Sequence, residues 1–314
     1  MNSGNVTTGG PSSHLPPHRE LLSPAPISKP PRKRSGSLAW ATGQRDGILG
    51  KIQLECRTQP WTSTVPHAPA MGLELYLNLL SQPSRAVYIF AKKNGIPFEL
   101  RTVDIIKGQH RSKEFFQINS LQKVPVLKDG DFILTESSAI LIYLSCKYQT
   151  ADHWYPSDLQ ARARVHEYLG WHADCIRGTF GVPMWVQVLG PLIGVQVPEE
   201  KVERNRTAID QALQWLENKF LGDRLFLAGQ QVTLADLMAL EELMQPVAVG
   251  YELFKGRPRL AAWRERVEAF LGAELCQEAH SLILSILEQA AKKTLPTPPP
   301  EVYPTMLLRI ARIP

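Results

Sequence analysis

At 314 residues, 44% of them hydrophobic, the chain is long enough for two modest domains with a sizeable core. Its formal charge of +5 sits in one place: residues 1–70 carry eight Lys/Arg and three acids, whereas from residue 71 onward 27 basic residues meet 27 acidic ones. The folded part is therefore neutral, which argues against a nucleic-acid-binding surface, and the first twenty residues lack the apolar stretch of a secretory signal.

Residues 1–70 hold ten of the 25 prolines and show neither helical nor strand periodicity. Such a composition cannot offset the entropy of ordering, so disorder is expected there. Pro31-Arg32-Lys33-Arg34 reads either as a solvated basic tail or as a nuclear-import patch, which would add a nuclear fraction to a cytosolic protein. Met71-Gly72 reads as the natural start of the folded part.

From 71 to 150 strand and helix patterns alternate. Leu73 to Leu79 alternates apolar and polar residues, a strand. Ser81-Gln82-Pro83-Ser84 turns into a helix whose first turn tolerates Pro83, and Gly95 ends it. Phe98 to Val103 is a second strand, parallel to the first across a helical crossover. Lys113 to Asn119 is a short helix, and Val124-Pro125-Val126-Leu127 begins a third strand. Asp129-Gly130 is a hairpin turn into Phe132–Leu134, and Glu136-Ser137-Ser138 starts a helix through Cys146. The order β-α-β-α-β-β-α predicts a small mixed sheet with helices on both faces.

Beyond Ser157 the strand signal disappears. Val202, Ile209, Leu213, Leu216 and Phe220 mark one face of a helix, and Thr233-Leu234-Ala235-Asp236 has the form of a capping box. Pro258–Leu271 and Glu274–Lys293 read as further helices. Gly178 to Pro198 is uncharged and long enough to span a bilayer, but its three prolines and four glycines would break a spanning helix. It reads as the apolar wall of a site or core. The proline-rich tail from Thr294 ends in the apolar, basic run Met306–Ile313, which can fold back over a cleft. Cys56, Cys146, Cys175 and Cys276 are widely spaced, which points to a reducing compartment and to buried thiols rather than a disulfide framework. His153, His166 and His280 show no ligand spacing, so no metal is expected, and Trp154, Trp171, Trp215 and Trp263 read as core.

The fold class is thus α+β: a domain over 71–150, an all-helical domain over 157–293 and a tail over 294–314. This is the architecture of the glutathione transferases, and four short motifs carry the resemblance further. Ser81-Gln82-Pro83-Ser84-Arg85 resembles the active-site turn of the theta class, and Lys123-Val124-Pro125 the segment in which the family has a cis proline. Glu136-Ser137-Ser138-Ala139-Ile140 resembles the family's glutathione-binding motif, and Thr233 with Asp236 its folding cap. The resemblance covers 71–314, with 135–182 similar to a theta-2 type. It implies a thioredoxin-like first domain, glutathione as co-substrate with no permanently bound cofactor, and a homodimer. Gln122 departs from the family pattern, where a small or basic residue is expected.

The physical reading runs beside it. A thiol is a poor nucleophile until ionised, and hydrogen-bonded or electropositive sites favour the thiolate. Ser81, where a strand feeds a helix N-terminus, can donate its hydroxyl to the glutathione sulfur, or it is an ordinary cap. Ser137 suits the γ-glutamyl carboxylate and Glu136 the ammonium, or the pair caps a helix. Val124, if its bond to Pro125 is cis, can pair through its backbone with the cysteinyl unit. His110, Arg111 and Lys123 can bind the glycine carboxylate, or are plain surface residues. Arg177 precedes the uncharged stretch and suits an anionic leaving group, or it pairs with Asp174 one turn back. Asp174 and Arg177 are also candidate glutathione contacts, and Trp185 a wall of the electrophile pocket. The resemblance to the theta class implies conjugation of glutathione to organic halides, sulfate esters and epoxides, with peroxidase activity toward organic hydroperoxides. The alternative is a transferase-fold docking module without catalysis.

Overall fold

Residues 72–314 are described by a computed structural model. The expectations for residues 1–70, including Cys56 and the basic patch, lie outside them. The sheet is mixed and four-stranded, in the order β2-β1-β3-β4. Strand β1 (Glu74–Leu77) runs parallel to β2 (Glu99–Thr102) and antiparallel to β3 (Val126–Asp129), and β3 pairs with β4 (Phe132–Thr135) across the Asp129-Gly130 turn. Gly130 takes a φ of +62° there, the left-handed geometry that glycine tolerates.

Alternation in β1 sends Leu75 and Leu77 to one face and Tyr76 to the other. The leucines pack under α1 (Gln82–Lys93) and α3 (Ser137–Lys147), while Tyr76 meets Phe115 of α2 (Lys113–Ile118) with ring centroids 6.4 Å apart. Helices therefore cover both faces. Every residue of α1 from Gln82 to Ala91 is buried, because its outer side packs against the helical half of the molecule.

That half opens with α4 (Leu159–Trp171), capped by Asp158, whose carboxylate accepts the Ala161 N–H at 2.8 Å. A π-helical turn, His172–Ile176, and the irregular helical stretch 182–192 follow. Helix α5 (Glu199–Trp215) buries Val202, Ile209 and Leu213, and a π-helical continuation buries Leu216 and Phe220, as the periodicity predicts. Trp215 is a correction: it points away from that face and is 46% exposed. Trp154 and Trp263 are core, and Trp171 is partly buried against it. Cys146, expected to be buried, is exposed at the last turn of α3, two residues past buried Leu144; Cys175 is half-buried and Cys276 buried.

The centre of the helical half is α6 (Leu234–Val247), buried from Leu234 to Pro246. Its capping box forms: the Thr233 hydroxyl accepts the Ala235 N–H at 3.2 Å, and the Asp236 carboxylate accepts the Thr233 N–H at 2.9 Å. Asp236 also accepts from Leu227 N–H and Trp263 Nε1, tying a loop and a core indole to the same carboxylate. Thr233→Ala removes one cap acceptor, and urea unfolding should show a loss of roughly 1–2 kcal/mol at unchanged m.

Helix α7 is Pro258–Leu271. The single helix expected over Glu274–Lys293 is instead two, α8 (Ala273–Leu284) and α9 (Ile286–Ala291). At Ser285 the backbone leaves helical geometry while the hydroxyl donates to the Leu282 carbonyl at 3.1 Å, the local competition that makes serine a poor helix-interior residue. The tail returns as α10 (Tyr303–Ala311). Lys201 Nζ donates to the Ala311 carbonyl at 3.0 Å and to that of Ile313, and Val302 packs onto Gly108, where a Cβ would fall 2.4 Å from Val302 Cγ2. Among the described residues no helix is long and apolar enough to cross a membrane.

Candidate active site

A cleft of about 810 Å³ lies between the sheet domain, the helical half and the returning tail. The sheet domain lends it Ser81 and Gln82 at the start of α1, then His110, Arg111, Lys123 and Val124. Glu136, Ser137 and Ser138 come from the start of α3. The helical half lends His172, Arg177, Gly181, Met184 and Trp185, and the tail Val302, Met306, Arg309 and Arg312. Nine of the ten residues singled out in the sequence converge here. Asp174 does not line the cleft; it is exposed, and the neighbouring Cys175 thiol lies 3.7 Å from its carboxylate.

Two helix N-termini open into this space. Ser81 has extended backbone (φ −90°, ψ 121°) at the N-cap of α1 and is 8% exposed, yet its side chain makes no cap bond to its own helix. The hydroxyl stands uncommitted at the positive end of the helix dipole. Arg85, fully buried one turn later, donates to the Leu79 carbonyl at 3.0 Å, and Gln245 Nε2 lies 3.4 Å from that of Leu80, so the two residues before Ser81 are pinned. Glu136 holds a φ of +67° immediately before α3, and the Val124–Pro125 bond is cis. The Lys123 carbonyl accepts from Asn119 Nδ2 at 2.8 Å, which fixes the approach to that bond. Gln122 takes a φ of +53°, where glycine would be at ease, and exchanges hydrogen bonds with Arg111 of 3.3 and 3.1 Å.

The charge in the cleft is one-sided. Arg111, Lys123, Arg177, Arg309 and Arg312 line it against the single carboxylate of Glu136. Arg309 feels this: partial burial and the like charges of Arg177 and Arg312 lower its pKa. Burial, then the charge of Arg111, brings His110 down to about 4, so it is neutral at pH 7, and its buried Nδ1 has no partner among the described residues. Arg177 does not pair with Asp174; its Nη1 lies 3.2 Å from Oε1 of Glu242 on α6. Sequence reasoning missed Gln82, Arg309 and Arg312. Gln82 was visible as the neighbour of Ser81, and the two arginines as an i, i+3 pair in the basic tail.

Burial, aided by Arg177, depresses His172 from 6.5 to about 3. The unfolded chain takes up this proton near pH 6.5 and the folded one only near 3. The stability tied to a neutral His172 is therefore complete above 6.5 and is lost as pH falls through that window, by roughly 2 kcal/mol between pH 6.5 and 5. Between pH 6.5 and 5 the urea-derived unfolding free energy of His172→Asn should fall by about 2 kcal/mol less than that of the wild type.

Among the described residues no group of three or more His, Cys, Asp or Glu is placed to hold a metal ion. A four-stranded mixed sheet domain whose helix N-termini face a cationic cleft, joined to a helical domain, is the architecture expected of a glutathione transferase. The family models of the glutathione S-transferase N-terminal and C-terminal domains match residues 71–145 and 175–270. The human glutathione S-transferase theta-2B is 90% identical over 244 residues, 78% of this chain and 100% of the relative. The mouse theta-2 enzyme is 80% identical over the same shares. A solved human theta-class transferase in complex with the glutathione conjugate of 1-menaphthyl sulfate is 90% identical, covering 78% of this chain and 100% of that one at a TM-score of 0.77. A human theta-2 structure with bound glutathione gives 89% identity over 77% and 100% of the chains, again at 0.77. The chain belongs to the glutathione S-transferase family, theta class, and is of the theta-2 type. It is a glutathione transferase, with glutathione as co-substrate.

Proposed function

We propose that the protein conjugates glutathione to hydrophobic electrophiles: foremost sulfate esters and organic halides, which carry good anionic leaving groups, and also epoxides, whose oxygen stays on the product. Residues 71–150 hold glutathione, 157–293 the electrophile, and 294–314 close the cleft. The observation that carries this reading is the uncommitted Ser81 hydroxyl at the N-terminus of α1, inside the cationic cleft. Ser81 donates to the sulfur and, with the helix dipole, stabilises the thiolate. Ser137 and Glu136 take the γ-glutamyl carboxylate and ammonium, the Val124 backbone pairs with the cysteinyl unit, and His110, Arg111 and Lys123 meet the glycine carboxylate.

The thiolate then attacks carbon. A carbon–sulfur bond forms, the carbon–oxygen bond of the sulfate ester breaks, and the electron pair leaves with sulfate. Arg177, joined by Arg309 and Arg312, receives that growing charge, and Trp185 packs the organic part. The conjugate of 1-menaphthyl sulfate held by the human theta-class relative supports this substrate class. Reduction of organic hydroperoxides is the companion activity: the same thiolate attacks the hydroperoxide oxygen and the O–O bond breaks to release the alcohol, then a second glutathione thiol attacks the oxidised sulfur, giving glutathione disulfide and water. A homodimer in the cytosol completes the reading.

The test is product analysis with a sulfate ester and, separately, an organic hydroperoxide. Thioether and sulfate released in equal amounts are expected from the first, glutathione disulfide from the second. Disulfide without any thioether would reject conjugation as the main activity.

A further inference from the structure

Helix α6 carries two adjacent buried acids with different commitments. Glu241 is fully engaged: Arg85 Nε donates to it at 2.7 Å and His280 Nε2 lies 3.0 Å from both its oxygens. Glu242 is 1% exposed in mid-helix, and neither of its oxygens has a well-formed hydrogen bond among the described residues. Its nearest cation is Arg177 Nη1 at 3.2 Å. On its other sides lie His172 Nε2 at 3.7 Å, the buried hydroxyl of Tyr168, and the more distant charges of Arg85 and Glu241. His172 is neutral at pH 7 and supplies no counter-charge. Arg177, in contrast, is 42% exposed and lines the cleft, so one end of its guanidinium meets a buried acid while the side chain borders the cleft.

A carboxylate is costly to bury with so little compensation, and this one has no cap or helix end to serve. What it does have is a long, flexible cation with a single fixed contact. We propose that Glu242 is a positioning residue for the reaction: its carboxylate anchors the Arg177 guanidinium against the cleft and so sets the preference for electrophiles that carry a negative leaving group. The inference rests on the anion-binding reading of Arg177 given above. Burial raises the Glu242 pKa against the opposing pull of Arg177, so the anchor is lost at a higher pH than an ordinary carboxylate would lose its charge.

The test compares a sulfate ester with a neutral epoxide on the full chain, its Glu242→Gln, Glu242→Asp and Arg177→Gln variants. Glu242→Gln should raise KM for the sulfate ester about tenfold while the epoxide kcat/KM and the glutathione KM stay within about twofold. Glu242→Asp should recover part of the loss. The ratio of the two kcat/KM values cancels thiol ionisation. It should fall on acidification in the wild type and stay flat in Glu242→Gln and Arg177→Gln. Equal losses on both electrophiles, or a sulfate-ester KM that ignores Glu242→Gln while responding to Arg177→Gln, would overturn the proposal and leave the anion-binding reading standing. No response to Arg177→Gln would remove that reading and this proposal together. Should Glu242→Gln not fold, the acid fall of the ratio in the wild type and its loss in Arg177→Gln still decide: present and Arg177-dependent supports the anchor, absent overturns it.

Discussion

Ser81→Ala should keep the protein folded and lower kcat/KM for a sulfate ester on the order of a hundredfold, the usual cost of removing one donor from a developing or resident anion. The cause is local. Ser81 makes no cap bond to α1, so its removal takes nothing from the helix. On the proposed function, what is lost is the hydroxyl donor to the glutathione sulfur. Free thiols titrate near ~8.5, and the difference between free and bound glutathione should shrink in the variant. Thiolate absorbance of bound glutathione across pH reads this directly. If Ser81 were only a cap, the same substitution would instead cost roughly 1 kcal/mol of stability and leave the thiolate unchanged.

Arg85→Met should cost roughly 3–5 kcal/mol of stability, because the substitution leaves the Glu241 carboxylate buried with half of its compensation gone. Arg85 is 0% exposed. It donates to the Glu241 carboxylate at 2.7 Å, to the Glu241 carbonyl at 2.9 Å, to Gln245 Oε1 at 3.2 Å and to the Leu79 carbonyl at 3.0 Å. Urea unfolding measures the loss. Adding Glu241→Gln should return part of it, a coupling that independent sites would not show. Lysine should rescue poorly, since one ammonium cannot reproduce a fork that reaches a carboxylate and two carbonyls. The fraction that stays folded should also lose turnover, because the Leu79 carbonyl is one of two holds, with that of Leu80, on the segment that carries Ser81.

The parts of this protein that could be read from the chain are those governed by neighbours in sequence. Alternation in Leu73–Leu79, the Asp129-Gly130 turn and the Thr233 cap each depend on a handful of adjacent residues, and each stands where expected. The recess at Ser81 was legible because a turn, a proline and a helix start are also local. What failed turned partly on distant partners and partly on local detail that the apolar pattern overrides. Arg177 finds Glu242, 65 positions away, rather than Asp174 on its own turn, because burial of α6 leaves an acid facing it that no local pattern announces. Trp215 is apolar and lies in an apolar-periodic helix, but it is two residues from Leu213 and so on the wrong side. Ser285 breaks a helix that its apolar neighbours would have continued. Arg309 and Arg312 enter the cleft only because the tail is fastened by Lys201 and by Val302 on Gly108, contacts between remote segments.

The burial of α1 on every side has a consequence for how the molecule comes apart. A helix shared as a wall by the sheet and by α6 belongs to neither half alone. Pulling the halves apart would expose its apolar face and the Arg85–Glu241 pair to water in one step. The melting of one half therefore strips the other of its packing partner. Cooperativity across the boundary is the result, so calorimetry should record a single transition in which both halves are lost together, rather than two separable events.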